Sequence, residues 1–139
     1  MHDIYGEPLT KILAISMLTL ISLLFVCHWI GDYTQLQTPW MLRAKMIGSP
    51  LFPIFVHALT HALLMGTVLW FYTEGRLLAE LFVFQLVSHF LIDVWKGKMN
   101  IWFPTLKNPM NQSHWVIFGI DQLLHQLVIV GMVAWLYKT

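Results

Sequence analysis

The sequence predicts an all-α integral membrane four-helix bundle made of two similar helical hairpins, with an interfacial helix or loop inside each hairpin. Three observations predict it. The 139 residues are 58% hydrophobic. Only 11% are charged, against about 25% in soluble domains. Four apolar stretches each approach the roughly 20 residues that a bilayer core asks of a helix. This composition excludes a soluble globular domain. It also excludes disorder, which needs low hydrophobicity and high charge. The length suits one domain, residues 1–139.

The first stretch, about Ile12–Ile30, carries no charge and reads ILAISMLTLISLLFVCHWI. It has no small-residue cleavage site and follows a head containing Asp3 and Glu7, so it reads as a span and not as a signal peptide. The second stretch runs about Leu51–Tyr72, the third about Leu77–Trp95 and the fourth about Trp115–Tyr137. The third is the most polar, with Glu80, Gln85, His89 and Asp93. Trp29, Tyr72, Trp95, Trp115 and Tyr137 fall near span ends, as an aromatic belt would place them.

The connections differ. Gly31–Pro50 contains Thr38-Pro39-Trp40, a helix-start signal, and then Met41–Ile47, which reads as a short amphipathic interfacial helix. Thr73-Glu74-Gly75-Arg76 reads as a tight turn. Lys96–His114, with Pro104 and Pro109, reads as a loop, re-entrant or lying at the interface around Ile101-Trp102-Phe103. The two long connections carry Arg43, Lys45, Lys96, Lys98 and Lys107, against Lys11, Arg76 and Lys138 on the head, turn and tail. That excess predicts an inner-membrane protein with the long connections cytoplasmic and both termini outside. A net charge of +1 implies no polyanion-binding surface, hence no nucleic-acid partner. The single Cys27 excludes a disulfide framework and a Cys-rich zinc module.

Histidine and aspartate recur at one spacing. The pairs are His28/Asp32 at the end of span one, His57/His61 at the start of span two, His89/Asp93 at the end of span three and Asp121/His125 at the start of span four. Each is i, i+4, so both side chains sit on one helix face. Spans one and three run one way and spans two and four run back, so all four pairs reach one membrane depth. Each ionisable group in a membrane helix costs roughly 2.5–3.5 kcal/mol unless it is paired or faces water. Eight are too many for polar glue between helices, although any one pair alone could be that. A lone His114 or His2 reads as an interfacial or tail residue. Eight donors exceed one tetrahedral zinc, and mixed imidazole and carboxylate shells suit two divalent transition metals, zinc first, with manganese or iron as alternatives. The expected ligands are His28, Asp32, His57, His61, His89, Asp93, Asp121 and His125. Asp32, Asp93 and Asp121 are the candidates for catalysis, one of them taking a proton from water. Arg43, Lys45, Lys96 and Gln35 are expected to bind substrate, with Lys98 beside them at the mouth. Gln85 and Gln122 could orient a ligand or join helices. The half-offsets of 61 and 64 residues between corresponding pairs suggest two parallel-related hairpins.

The motifs His28-Trp29-Ile30-Gly31-Asp32-Tyr33 with Gln35 or Gln37 after them, Lys45, His57/His61, His89-x-x-x-Asp93-x-x-Lys96 and Asp121-Gln122-x-x-His125 resemble the domain of unknown function 3307 family. These are small prokaryotic and phage membrane proteins, and the resemblance covers about His28 to Gln126. The family name implies no activity. The His/Asp pairs are more distantly similar to those of membrane-bound metal-dependent hydrolases.

These residues predict a membrane-embedded hydrolase with a dinuclear centre near one membrane face, acting on a phosphoester or lipid-linked anionic substrate. Two metals would acidify a bridging water and stabilise charge on a phosphoryl or acyl oxygen. The same cluster also suits a transition-metal or proton transporter, or a di-iron membrane oxidase or hydroxylase. The expected partners are the lipid bilayer and an amphiphilic small molecule, with self-association left open.

Overall fold

The computed structural model describes residues 9–138, and every regular element among them is helical. The head with His2, Asp3 and Glu7 lies outside the described residues. Five α-helices follow one another: α1 (Leu9–Tyr33), α2 (Pro39–Ile47), α3 (Leu51–Leu69), α4 (Gly75–Trp102) and α5 (Gln112–Lys138). A single 3-10 turn, Pro104–Lys107, sits between α4 and α5. Helices α1, α3, α4 and α5 are long and apolar enough to cross a membrane.

These four helices form a ring in chain order. α1 packs on α3 and α5, α4 packs on the same two, and the backbones of the diagonal pairs stay apart among the described residues, so those pairs meet only through side chains such as His28 and His89. Half of the interior is hydrocarbon. Leu20, Leu24, Met65, Leu69, Leu81, Ile129, Met132 and Val133 form one buried cluster with Cys27. The other half holds the polar groups. From Leu24 to His28 is four residues, so the change from apolar to polar takes about 6 Å of helix rise. The outer faces carry apolar side chains such as Leu18, Phe52, Val87 and Leu127.

α2 forms as its sequence asks. Thr38 Oγ1 accepts the Met41 N–H at 3.4 Å, Pro39 occupies the first turn, and Gly48 closes the helix in the left-handed region at φ 64°. α2 packs on α3 and α4. The contact with α4 is backbone on backbone: a Cβ on Gly97 would overlap Gly48 and approach the Lys45 carbonyl to 2.6 Å.

Three expectations change. The third span does not end at Trp95: α4 continues through Lys96, Lys98 and Asn100 to Trp102. Nothing in Lys96–Trp102 breaks a helix except Gly97, whose missing side chain is used by the α2 crossing, and the first true stop is Pro104. Ile101 and Trp102 are therefore the last, exposed turn of a helix, and no re-entrant loop forms there. The second connection shrinks to a short segment folded on itself. Trp115 Nε1 donates to the Pro109 carbonyl (2.8 Å) and Asn111 Nδ2 to that of Thr105 (3.0 Å). Finally, the turn between α3 and α4 lies at residues 70–74, because Gly75 and Arg76 already belong to α4.

Candidate metal centre

All four i, i+4 pairs meet inside the ring. His28, Asp32, His57, His61, His89, Asp93, Asp121 and His125 are all buried, and His57, His61, His89 and Asp93 are fully so. The imidazoles crowd together: the His61 and His89 rings stack with centroids 3.9 Å apart, and those of His89 and His125 are 4.2 Å apart. Three overlapping sets of donor atoms lie within ion-holding range. They are Asp32 with His57, His61 and His89; His28 with His89 and His125; and Asp93 with Asp121 and His125.

The local contacts run through the carboxylates. Asp32 Oδ1 faces His57 Nε2 at 3.0 Å and His61 Nε2 at 3.5 Å, while its Oδ2 faces His28 Nε2 at 3.4 Å. Asp93 Oδ2 faces His89 Nε2 at 3.4 Å, and its Oδ1 faces His125 Nε2 at 3.7 Å. Asp121 Oδ1 lies 3.6 Å from His125 Nε2. Several of these inward atoms have no hydrogen-bond partner: His61 Nε2, His89 Nε2, His125 Nε2, both oxygens of Asp93 and Oδ1 of Asp121. Buried polar atoms are normally satisfied, and each one left bare costs about 1–3 kcal/mol. Bare imidazole nitrogens and carboxylate oxygens aimed at one another are the donor set a first-row dication uses. The residues fit a metal.

Sequence reasoning expected Lys45 only at the mouth. It reaches the centre itself. Lys45 is buried, and Nζ donates to Asp32 Oδ1 at 2.9 Å and lies 2.9 Å from His57 Nε2. It also lies 3.2 Å from Asp93 Oδ1. Burial opposes the Lys45 charge, but Asp93 and Asp32 outweigh it and hold the ammonium above the usual lysine range. Lys96 pairs with Asp121 Oδ2 at 2.7 Å. Three carboxylates thus face two ammonium groups, which leaves one formal negative charge in the cluster.

A cavity of about 330 Å³ opens onto this cluster at Asp32 and Lys45. Lys96, Lys107, Gln37 and Asn100 give its wall polar groups, and Leu42, Leu106, Ile117 and Phe118 apolar ones, with Lys96 Nζ 4.8 Å above the Phe118 ring. Two expected substrate groups are elsewhere. Arg43 is exposed on the opposite face of α2, in a separate groove beside Trp40 and Pro53, because it is two residues from Lys45 on a helix. Gln35 is exposed in the turn after α1 and does not line the cavity. Gln37 takes that place: with its amide turned over, the nitrogen donates to the Asp32 carbonyl (2.8 Å) and the oxygen accepts from Lys45 Nζ (3.2 Å). Lys98 is also absent from the cavity wall, while Lys107 and His114 belong to it. His114 is tied into the loop. Its Nδ1–H donates to the Leu106 carbonyl at 2.6 Å, fixing the turn that carries Lys107.

Gln122 bridges α5 to α1, donating to Asp121 Oδ2 (3.1 Å) and lying 3.4 Å from His28 Nε2. Gln85, buried, sets its Nε2 3.4 Å from His89 Nδ1.

Fold and site define a class: a bundle of apolar helices whose polar half gathers histidines and aspartates able to hold a metal. The chain belongs to the family described as protein of unknown function (DUF3307), which matches residues 20–139. No curated protein and no solved structure matches it.

Proposed function

We propose that this protein is a membrane-embedded, metal-dependent hydrolase acting on an amphiphilic phosphoester or lipid-linked anionic substrate. The observation that carries the reading is the cavity, which joins a metal-ligating cluster to a wall that carries both basic and apolar side chains. An anionic head and a hydrocarbon tail would each find a matching surface.

Zinc is the first candidate, with manganese or iron suited to the same donors, and two ions fit the number of groups. Such ions would supply Lewis acidity to a phosphoryl or acyl oxygen and to an attacking water. The chain's own residues do the rest. Asp93 and Asp121 offer bare oxygens as ligands. Asp32 alone of the three carboxylates lines the cavity, which supports giving it the role of taking the proton from water. Lys45, Lys96 and Lys107 would hold the anionic group. Gln37 fixes the direction of the Lys45 ammonium.

A transport role fits less well, because the interior beyond the cluster is closed by Leu20, Leu24, Met65 and Leu81. An ion path needs polar groups that continue to the far face.

The test is turnover by zinc-loaded protein in detergent on long-chain and short-chain nitrophenyl phosphodiesters, phosphomonoesters and anionic acyl esters. Hydrolysis of a long-chain substrate, lost in Asp93→Ala, is expected. Metal-loaded protein inert toward all of them, yet passing zinc across proteoliposomes, would replace the hydrolase with a transporter.

A further inference from the structure

We infer that the centre has two unequal cation seats, with the Lys45 ammonium already holding the seat at Asp32 and His57. A first dication then goes to Asp93, Asp121 and His125. A second reaches Asp32, His57, His61 and His89 only by displacing the lysine. This rests on the metal-centre reading above and adds an order of loading to it.

The two lysines of the site grip their aspartates differently. Lys96 Nζ takes Oδ2 of Asp121, which leaves Oδ1 bare and facing His125 Nε2 at 3.6 Å. Lys45 Nζ takes Oδ1 of Asp32, the same oxygen that faces His57 and His61. It also lies 2.9 Å from His57 Nε2, so two donors of that seat already have a cation against them. In the other seat Asp121 Oδ1 and His125 Nε2 have neither a hydrogen-bond partner nor a lysine against them. Lys45 reaches that seat at one oxygen only, Asp93 Oδ1 at 3.2 Å, and leaves Oδ2 bare. An ion entering there displaces one longer contact and breaks none of the hydrogen bonds described. An ion entering at Asp32 must first remove a buried ammonium from a carboxylate, and separating such a pair leaves an uncompensated buried charge.

The position of Lys45 supports the same reading. It arrives on α2, outside the ring, and it stands between the cavity and the imidazoles. α2 is held close to α4 by the Gly48–Gly97 crossing, and Asn100 Nδ2 donates to the Met46 carbonyl at 3.1 Å. Gln37 holds the ammonium from the cavity side. The lysine is therefore a fixed part of the seat.

The experiment is a zinc titration of stripped, purified protein in detergent, with calorimetry for affinity and elemental analysis for stoichiometry. Wild type is expected to bind one zinc tightly and a second about tenfold or more weaker. Lys45→Met should bring the second affinity up to the first, and Lys45→Arg should keep the inequality. His57→Ala should retain the tight zinc and Asp121→Ala should lose it, which tests the order without altering Lys45. Two equally tight zincs in wild type would overturn this inference and leave the metal-centre reading standing. The tight zinc surviving in Asp121→Ala but not in His57→Ala would overturn the order. No zinc in any of these proteins would overturn both readings.

Discussion

Gly31 of α1 lies against the imidazole of His61 on α3, and a Cβ at position 31 would overlap Cε1, Nε2 and Cδ2 of that ring. His61 cannot retreat, because its other side stacks on His89 and its edge meets His57 at 4.6 Å. The i, i+4 pair of α1 therefore flanks a glycine whose absent side chain seats a histidine from the next helix.

Gly31→Ala separates two opposing effects. Alanine favours a helix by about 1 kcal/mol over glycine, so an unstrained site would be stabilised. Overpacking costs about 1–3 kcal/mol and displaces the ring. The clash is expected to win, lowering the thermal midpoint in detergent and reducing bound zinc. A midpoint that rises with zinc content intact would show that the contact is loose.

Gly97→Ala acts on Lys45 from a distance. The obstacle at Gly97 is backbone, the Gly48 main chain and the Lys45 carbonyl, and backbone cannot rotate aside as a side chain can. α2 must lift from α4 and draw Lys45 out of the cluster. The expected result is faster acylation of Lys45 by a water-soluble amine reagent, read by mass spectrometry. Protection equal to wild type would mean that α2 holds its place without the close crossing.

How much of this was legible in the sequence follows from what each feature depends on. The spans and the four pairs depend on hydropathy and on the 3.6-residue period, which are local, and His28 through His125 meet as that period requires. Lys45 and Gln37 depend on how a turn and a short helix fold back, and no periodicity encodes that. The basic residues looked alike on a linear map, yet Lys45 is buried and Arg43, two residues before it, is exposed. The extension of α4 was hidden for a different reason. Lys96, Lys98 and Asn100 are too polar for a membrane window but are ordinary helix residues, so the end of the apolar stretch does not mark the end of the helix.

Gln85 should tune the centre through His89. It is buried, its Nε2 lies 3.4 Å from His89 Nδ1, and its Oε1 has no partner. With the amide turned over, that oxygen accepts the Nδ1–H of the tautomer whose Nε2 lone pair faces the cluster. Partners of this kind are worth about 10- to 100-fold in metal affinity. Gln85→Leu is expected to weaken zinc binding by that order in a chelator competition, and Gln85→Glu to retain it. Equal affinity in Gln85→Leu would reduce Gln85 to a tie between helices.

Removing metal should destabilise the fold, because without an ion the bare oxygens of Asp93 and Asp121 and the bare nitrogens of His61, His89 and His125 remain buried and unsatisfied. A ligand that binds only the folded state adds about 4.1 kcal/mol when present at about 1,000 times its dissociation constant. A chelator is therefore expected to lower the thermal midpoint of wild type, and added zinc to restore it. Asp93→Asn, which removes a carboxylate of the Asp93, Asp121 and His125 set, should show a smaller response to either. Acid should erase the difference between loaded and stripped protein, since protonated imidazole and carboxylic acid are not ligands and stabilisation by metal is lost as pH falls. If wild type melts at one temperature with chelator, with zinc and across that pH range, the cluster joins the helices by its own hydrogen bonds and needs no ion.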